Sequence, residues 1–408
     1  MQPWLTRAAA MHPQRVALET EERSLTYTEL HAHAEDEAQA LRELGVRPGQ
    51  RVPLELDDRV GFAVRLHACL LIGAAAVPID PRLGGEERAV RSTAGWAGRE
   101  DAATVMYTSG TTAAPKAVEL TYGNWLANAL GSAVALGLDP DETWLCPLPL
   151  AHVGGLSILI RSAIYGTTVV LRARFDAVDV AAALHDPRRR ITLVSLVPAM
   201  LSRLLDAGLR HPPTLRWALL GGGPIPTPLL ERARQAGIPV APTYGTTEAC
   251  SQIATHGWPL PGVEVELADD AEVLVRGATV APRTLAPDGW LHTGDLGSFD
   301  ADGRLTITGR KSDTIVSGGE NVAPAEVEEV LLGHRAVVDA AVFGRSDPEW
   351  GEAVVAVVVL RAGTAATAEE LRAYCAQRLA AFKVPKAVGF AASLPRTASG
   401  KLLRGELR

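Results

Sequence analysis

The sequence predicts an α/β protein with a large N-terminal domain of stacked α/β sheets, a small β subdomain and a small α+β C-terminal domain. Three observations support this fold class. Short β-rich runs alternate with helical patterns through the first half of the chain, which is typical of mostly parallel sheets. After about Gly257, short strands punctuated by Gly, Pro and Asp replace the alternation. Beyond Asp313 the pattern becomes helix, strand, strand, helix, as in a compact α+β module.

The N-terminal region begins with a predicted helix over Glu29–Leu44, with Thr28 as its N-cap and Gly45 just past its end. A buried helix is predicted over Gly61–Gly73, closed by its last glycine. Further strands are predicted at Val52–Leu56, Ala75–Ile79, Ala102–Met106, Thr167–Leu171, Ile191–Val194 and Leu215–Leu220, and further helices at Gly155–Tyr165, Pro198–Ala207 and Pro228–Ala236.

The second half divides at Arg310–Asp313, which we take as a boundary between residues 1–309 and residues 314–408. Before it, short strands are predicted at Val263–Leu267, Ala271–Val275, Trp290–Thr293 and Leu305–Thr308. After it, the predicted elements are the helix Ala325–Leu332, the strands Val337–Gly344 and Glu352–Leu360, and the helix Thr367–Ala380.

Composition narrows the class of protein. With 408 residues, 47% hydrophobic and 21% charged, the chain can form two or three cored domains. A net charge of −7 disfavours a nucleic-acid binder, and the four scattered cysteines disfavour a zinc site or a disulfide framework. The N-terminus lacks a signal peptide, and the apolar runs are too short or interrupted to span a bilayer. We expect a soluble cytoplasmic protein without stable membrane association.

The segment Tyr107–Lys116 is rich in hydroxyls and follows a strand-like run. Such a loop can surround phosphate oxygens with hydroxyl and backbone N–H groups, and its lysine adds a positive charge. It lacks the spacing of a Walker A loop. An isolated cluster of this kind is more often a solvated turn. Its candidate phosphate-binding residues are Thr108, Ser109, Gly110, Thr111, Thr112 and Lys116.

Four further motifs follow in order, at Pro147–His152, at Leu220–Pro224 with Tyr244–Glu248, at Trp290–Asp295 with Arg310, and at Pro395–Lys401. Each has a plain structural alternative. His152 could be a satisfied core histidine, and Thr247 with Glu248 could open a helix as N-cap and first-turn acid. Asp295 could cap its own turn, and Lys401 could be a solvated tail lysine.

The five motifs together resemble the adenylate-forming superfamily, which includes acyl-CoA synthetases, peptide-synthetase adenylation domains and beetle luciferases. The resemblance extends from about Leu25 to Lys401. It implies an enzyme that activates a carboxylic acid with ATP and then transfers the acyl group to a thiol. Each motif is weak alone, but five in the family's order are very improbable by chance.

The resemblance implies a nucleotide site. The opening loop would hold the β- and γ-phosphates, Thr247 would contact the α-phosphate, and Glu248 would hold Mg²⁺. Asp295 would accept hydrogen bonds from the ribose hydroxyls, and Arg310 would donate to the ribose or the phosphate. The adenine would lie between two segments formed by Gly221, Gly222, Gly223, Tyr244, Gly245 and Thr246.

The same resemblance implies two working states. Lys401 would stabilise the charge that builds between carboxylate and α-phosphate, and His152 would line the meeting point of acid and thiol. Withdrawing Lys401 for the thiol step requires a mobile C-terminal domain, with Ser312 in residues 310–313 as the hinge. Gly318 and Gly319 would then line the thiol channel. The sequence runs seven residues past Lys401, so we expect coenzyme A rather than a fused carrier domain as acceptor.

Four segments resemble most closely the o-succinylbenzoate–CoA ligases of menaquinone biosynthesis: 154–166, 219–224, 247–252 and 309–321. Arg161 lies in an apolar helical run and needs an anion, which a second substrate carboxylate could supply. An acidic neighbour or solvent is an equally good alternative. Ser157, Ser251 and Gln252 are further candidates for contacts with the acid. Another aryl or short acyl acid remains the alternative substrate.

Two departures from the family pattern stand out. Ala113 occupies a position where the family usually has glycine. Ala117 occupies a position where the family often has glycine. Only 25 residues separate Arg82 from Thr108, where relatives carry a longer α/β segment, so part of an N-terminal sheet is expected to be missing. These departures leave open a homologue that binds adenylate or acyl-CoA and turns over poorly. The sequence does not distinguish a monomer from a homodimer.

Overall fold

The computed structural model describes residues 3–55, 58–83, 85, 88, 101–108, 116–396 and 402–407. The predicted α/β class is confirmed within these residues. Two sheets with helices packed on them make up the part before Gly257, and a small antiparallel sheet and an α+β module follow. No helix among the described residues is both long and apolar enough to cross a bilayer.

The largest sheet has nine strands, in the order β13-β12-β11-β10-β9-β7-β8-β1-β2. Its six central strands are parallel, from β11 to β1, and the strands at its two edges are antiparallel. The strands are β1 Val16–Glu19, β2 Ser24–Thr26, β7 Thr143–Cys146, β8 Thr168–Leu171, β9 Leu193–Leu196, β10 Trp217–Leu220, β11 Val240–Tyr244, β12 Ala254–Thr255 and β13 Trp258–Pro259.

A second sheet of four strands lies earlier in the chain, in the order β3-β4-β5-β6. These strands are β3 Arg51–Leu54, β4 Ala75–Pro78, β5 Ala102–Thr108 and β6 Lys116–Thr121. The first three are parallel and the last is antiparallel, with Thr108 opposite Lys116. The two strands that flank the Ser/Thr-rich loop therefore end side by side.

Eight helices of the described region pack on these sheets: α1 Trp4–Met11, α2 Tyr27–Glu43, α3 Arg59–Ile72, α4 Tyr122–Leu136, α5 Val153–Tyr165, α6 Ala177–His185, α7 Pro198–Asp206 and α8 Thr227–Gln235. One core joins helices α1 to α5 with both sheets and buries Trp125 and Trp144. A second core covers the other face of the nine-stranded sheet with α6, α7 and α8. The six parallel strands have their carboxyl ends at the same edge of the sheet, where a site can form.

The β subdomain is a four-stranded antiparallel sheet made of β14 Val263–Leu267, β15 Glu272–Gly277, β16 Leu291–Phe299 and β17 Leu305–Arg310. A single 3₁₀ turn, Lys311–Asp313, leads out of it. The last module contains β18 Ile315–Ser317, β19 Glu320–Val322, α9 Pro324–Leu332, β20 Val337–Asp347, β21 Gly351–Leu360, α10 Ala368–Ala376 and β22 Ala387–Phe390. It has a core of its own around Val327, Val342 and Leu371.

Several predicted helix ends were wrong, and two of them have a clear physical cause. Helix α2 begins at Tyr27 because Thr26, and not Thr28, forms a capping box with Glu29, while the Thr28 hydroxyl donates to the carbonyl of Pro13 (2.9 Å). Helix α10 ends at Ala376 rather than Ala380, because the chain turns at Gln377. The carbonyl of Cys375 in the last turn of the helix accepts hydrogen bonds from the N–H groups of Arg378 and Leu379.

Candidate active site

The carboxyl ends of parallel strands bring three of the motifs to one edge of the nine-stranded sheet. Strand β7 leads to His152, β10 leads to Gly221–Gly223, and the neighbouring β11 ends at Tyr244. In open α/β sheets, ligands bind in the crevice outside such strand ends. Motifs that are far apart in sequence therefore meet at this edge.

Two glycines let the strand ends pack more closely than any side chain would allow. A Cβ on Gly221 would lie 2.8 Å from the carbonyl oxygen of Thr243, and a Cβ on Gly245 would overlap the carbonyl oxygen of Ser251. Gly222 has a positive φ of 78°, which favours glycine. A Cβ on Gly223 would meet open space. This glycine backbone leaves room beside Tyr244 for a flat base.

Tyr244, Asp295 and Arg310 form one hydrogen-bonded cluster. The Asp295 carboxylate accepts from the Tyr244 hydroxyl (2.9 Å) and from Arg310 Nε (2.7 Å). Strands β16 and β17 pair with Asp295 opposite Arg310, so the register itself places the two side chains together. Burial and the Asp295 charge raise the pKa of the Tyr244 hydroxyl, which therefore stays a donor. The remaining lone pairs of the carboxylate fit two sugar hydroxyls.

The segment Thr246–Ser251 is a hydrogen-bonded turn and not the start of a helix. The backbone N–H of Cys250 donates to Thr247, and the N–H of Ser251 donates to Thr246. The capping hydroxyl is that of Thr246, which accepts from the N–H of Ala249 (3.2 Å), so the alternative of a helix opened by Thr247 does not hold. Cys250 and Ser251 both have positive φ, which is strained for residues with a side chain.

The same turn presents Glu248 half-buried. Among the described residues, no cation and no hydrogen-bond donor contacts its carboxylate. The described residues also contain no group of three or more side chains able to hold a metal ion by themselves. Mg²⁺ is commonly held by one or two carboxylates together with substrate phosphates. Glu248 therefore fits a Mg²⁺ ion that arrives with a nucleotide.

His152 is the N-cap residue of α5, and its Nε2 lies 3.8 Å from Oδ2 of Asp80. Asp80 follows strand β4 and accepts two hydrogen bonds from the Arg82 guanidinium (2.7 and 2.5 Å). Burial alone would raise the pKa of Asp80, but the Arg82 contacts outweigh it and lower the pKa. The sequence analysis missed Asp80, because its neighbour His152 is 72 positions away and no local pattern links them.

Three of the candidate acid-binding side chains, Ser157, Arg161 and Gln252, are buried together beneath the turn. Arg161 donates to Oδ1 of Asn128 (2.5 Å), and Asn128 donates to the carbonyl of Gln252 (3.1 Å). The Arg161 guanidinium also lies 5.7 Å from the centre of the Trp144 ring. The Ser157 hydroxyl donates to Gly154 (2.9 Å), and the Gln252 amide donates to Thr255 (2.8 Å).

Arg161 is 1% exposed, and among the described residues no carboxylate lies within ion-pair distance of it. Its Nε makes no hydrogen bond there either. Burial lowers the pKa of the guanidinium, yet an arginine side chain stays charged in proteins. A buried cation without an anion is costly, so an anion beside Arg161 would be favourable.

The Ser/Thr-rich loop is described at its two ends. Thr108 and Lys116 face each other at the ends of β5 and β6, and the Thr108 hydroxyl donates to the Lys116 carbonyl (3.4 Å). Ser109, Gly110, Thr111, Thr112 and Ala113 lie outside the described residues. Ala117 lies within strand β6 opposite Tyr107, where alanine needs no unusual backbone conformation.

The predicted hinge lies between two anchored residues. Lys311 pairs with Asp270 and with Glu272 (3.2 Å), and Asp313 pairs with Arg404 (2.8 Å). Ser312 between them is exposed. Gly318 and Gly319 have φ values of 61° and 85° and form the exposed turn between β18 and β19. Lys401 lies outside the described residues.

Most of the chain matches the sequence models of one enzyme family. The AMP-binding enzyme model matches residues 5–95 and 91–283, and the model of the AMP-binding enzyme C-terminal domain matches residues 326–401. The chain belongs to the AMP-binding enzyme family.

Several relatives that are 37–39% identical to the chain have the same name. The chain is 39% identical to 2-succinylbenzoate–CoA ligase of Bacillus cereus, over 100% of this chain and 98% of the relative. It is 37% identical to the enzyme of that name from Bacillus subtilis, over 99% of this chain and 97% of the relative. The structure of Bacillus subtilis o-succinylbenzoate CoA synthetase with an acyl-adenylate intermediate matches with a TM-score of 0.90 at 37% identity, over 100% and 98%.

The comparisons also bear on the short segment between Arg82 and Thr108. The alignment with the Bacillus cereus enzyme has 476 positions, so at least 68 of them (476 minus 408) hold no residue of this chain. The family model matches in two stretches that meet at residues 91–95. The overlap of the two stretches lies within the segment between Arg82 and Thr108, where the loss was expected.

Proposed function

We propose that this chain is an ATP-dependent 2-succinylbenzoate–CoA ligase. A substrate carboxylate oxygen attacks the α-phosphorus of ATP and releases pyrophosphate, and the thiol of coenzyme A then displaces AMP from the acyl-adenylate. The observation that carries the proposal is the match along the whole chain to enzymes of that name.

The nucleotide would occupy the edge of the nine-stranded sheet. The adenine would lie between Gly221–Gly223 and Tyr244–Thr246, and Asp295 with Arg310 would bind the ribose. Thr247 would contact the α-phosphate, and Thr108 and Lys116 would flank the loop for the β- and γ-phosphates. Glu248 would hold Mg²⁺, which supplies positive charge against the phosphates when bound. These assignments rest on the cluster at Asp295 and on the open glycine backbone.

The two half-reactions would use one site in two arrangements. Residues 1–309 and 314–408 would be separate domains, as the separate core of the second one supports. Lys401 would neutralise charge during adenylation, and rotation at Ser312 would then bring Gly318 and Gly319 to the thiol channel. His152, oriented by Asp80, would line the point where acid and thiol meet.

The acid pocket would recognise a dicarboxylate through Arg161. 2-Succinylbenzoate carries a carboxylate at the ring and another at the end of its side chain, so one remains free while the other reacts. The free carboxylate would pair with the buried guanidinium, which lacks an anion among the described residues. Ser157, Ser251 and Gln252 would complete the polar part of the pocket. We also propose a reducing cytoplasm as the location, because the four cysteines are buried free thiols.

A ligation screen tests the proposal. The purified chain is incubated with ATP, Mg²⁺, coenzyme A and one acid at a time, and acyl-CoA and AMP are quantified by mass spectrometry. The panel contains 2-succinylbenzoate, 4-oxo-4-phenylbutanoate (which lacks the ring carboxylate), benzoate, succinate and malonate. We expect 2-succinylbenzoate to give the highest kcat/KM.

Two results would count against the proposal in different ways. A higher kcat/KM for a monocarboxylate would leave an acyl-CoA ligase but remove the dicarboxylate pocket. No acyl-CoA from any acid, together with binding of ATP in calorimetry, would favour the poorly active homologue. The shortened segment before Thr108 would then be the first place to look for the cause.

A further inference from the structure

Arg404 has an unusually complete set of contacts for a residue so near the end of the chain. Its Nη2 donates to both carboxylate oxygens of Glu328 (2.8 and 3.0 Å), and its Nη1 donates to Oδ2 of Asp313 (2.8 Å). Its Nε donates to the carbonyl of Val342 (3.1 Å). All three guanidinium nitrogens are therefore used.

These partners come from three separate elements. Glu328 is on helix α9 and 7% exposed, and it also accepts from the N–H of Val342 in strand β20 (2.8 Å). Asp313 belongs to the 3₁₀ turn and follows Ser312 directly. Arg404 thus connects the tail to the helix, to the sheet and to the C-terminal side of the predicted hinge.

The tail on which Arg404 lies is closed at its base. Arg396 and Leu402 form an antiparallel bridge, and the N–H of Leu403 donates to the carbonyl of Pro395 (2.9 Å). The other side of this base is also held by an arginine, since Arg396 donates to both carboxylate oxygens of Asp339 (2.8 and 3.0 Å). Two arginine–carboxylate contacts therefore fix the base on both sides.

Lys401 is joined covalently to Leu402, at one corner of this base, and is three residues before Arg404. Because a peptide bond joins Leu402 to residue 401, contacts that hold Leu402 act on its neighbour. A lysine that has to neutralise charge in a transition state must be placed accurately, and a displacement of about 1 Å can cost roughly 10²-fold in rate.

We propose that Arg404 is a positioning residue for Lys401, which ties the base of the lysine-bearing tail to Glu328 and to the hinge-side Asp313, so that tail and hinge turn move as one body. The inference rests on the proposed function, in which Lys401 acts in adenylation. Arg404 contacts protein groups in all its described hydrogen bonds, and its effect passes through the chain to residue 401. Lysine cannot replace it, because the three N–H donors of an ammonium share one nitrogen and cannot reach acceptors that face three separate guanidinium nitrogens.

The test separates the half-reactions in the full-length enzyme. Adenylation is followed as 2-succinylbenzoate-dependent ATP–pyrophosphate exchange, and thioester formation is followed from chemically supplied 2-succinylbenzoyl-adenylate and coenzyme A. Arg404→Ala and Arg404→Lys are each expected to lower kcat of adenylation roughly 10²-fold and to leave thioester formation near the wild-type rate. Equal loss in both half-reactions, or unchanged adenylation, would overturn the proposal.

Trypsin gives a second readout that does not depend on activity. Cleavage of the Lys401–Leu402 bond, followed by mass spectrometry, should be faster in Arg404→Ala than in the wild type, because the base is no longer held. Arg378→Ala is the matched control, since Arg378 is an exposed arginine of the same module that donates to the carbonyl of Tyr374 (3.1 Å). An unchanged cleavage rate in Arg404→Ala would contradict the positioning role.

Two further points keep the result unambiguous. If the wild type shows no exchange with any acid, the proposed function fails, while the cleavage rates still decide whether Arg404 holds the base. If Arg404→Ala does not fold, Asp313→Asn takes its place, because it keeps the contact between Arg404 and Glu328. This variant should lower adenylation selectively, by roughly tenfold, and an equal loss in both half-reactions would again overturn the proposal.

Discussion

Arg161 is 1% exposed and the Arg404 side chain is 20% exposed, but only Arg404 meets carboxylates. Arg404 donates to Glu328 and Asp313, whereas Arg161 has an amide, Asn128, and the Trp144 ring as neighbours. An ion pair with all its hydrogen bonds made stabilises the fold, and removing one partner is destabilising. A buried cation without an anion is incomplete by the same argument. The difference separates a residue that holds the protein from one that, in the proposed function, binds an anion of the substrate.

His67 shows a third outcome in the N-terminal region. It is 3% exposed on helix α3, and burial lowers the pKa of its ring to about 4. A histidine can avoid the cost of burial by remaining neutral, which an arginine cannot do. A missing carboxylate therefore carries little information at His67 and much more at Arg161.

The largest effect is expected at Lys401, the residue that Arg404 would position. Lys401→Ala should lower adenylation by about 10³-fold, since it removes a charge that acts on the transition state. Thioester formation from supplied acyl-adenylate should stay near the wild-type rate. Lys386→Ala is the matched control, because Lys386 lies over the Trp350 ring, 4.0 Å from its centre, in the same module. If Lys401→Ala slows both half-reactions equally, the two-state scheme is wrong and Arg404 has nothing to position.

A smaller effect is expected at Arg161, where the substrate would supply the anion. Arg161→Met keeps most of the side-chain volume and should lower kcat/KM for 2-succinylbenzoate roughly 10²-fold, as expected when one partner of a buried charge pair is lost. For 4-oxo-4-phenylbutanoate, which lacks the ring carboxylate, the loss should be slight. The ratio of the two kcat/KM values is the measurement.

Arg172 provides the control for that ratio. It is also 1% exposed in the N-terminal region, but Asp179 pairs with it at 2.9 Å. Arg172→Met should lower the free energy of unfolding and leave the ratio of kcat/KM values at its wild-type level. If Arg161→Met also leaves the ratio unchanged, Arg161 is structural as well, and the contrast with Arg404 disappears.

The last effect concerns stability at acidic pH rather than activity. Because the pKa of His67 is about 4 when folded and near 6.5 when unfolded, the unfolded chain binds a proton first as the pH falls. The contribution of His67 to stability is thus complete above pH 6.5 and is lost between pH 6.5 and 4, by about 3 kcal/mol. His67→Leu should flatten the fall of the unfolding free energy in urea titrations across this window. An unchanged slope would mean that His67 has a partner that stabilises its charge.

The sequence predicted those features that depend on local pattern. Strand β14 was predicted with its observed ends, and Asp295 and Arg310 were predicted to share a site that strand register does bring together. The prediction of Thr28 as N-cap was wrong because Thr26 and Thr28 are both suitable caps in sequence. Only the folded chain shows that the Thr28 hydroxyl donates to the carbonyl of Pro13 instead.

Long-range contacts were not predictable in the same way. Asp80 beside His152, Asn128 beside Arg161 and Glu328 beside Arg404 each join elements more than thirty positions apart. Their side chains follow no periodic pattern, and packing of whole helices and strands decides which of many charged residues meet. The motifs could therefore name the residues of the site, but not the neighbours that hold them.

The most direct test of the account follows an oxygen atom. The carboxylates of 2-succinylbenzoate are labelled with oxygen-18, and the AMP formed in the complete reaction with coenzyme A is analysed by mass spectrometry. An acyl-adenylate transfers one carboxylate oxygen to the phosphate, so we predict labelled AMP in amounts equal to the acyl-CoA formed. Acyl-CoA accompanied by unlabelled AMP, or by ADP, would contradict adenylate formation.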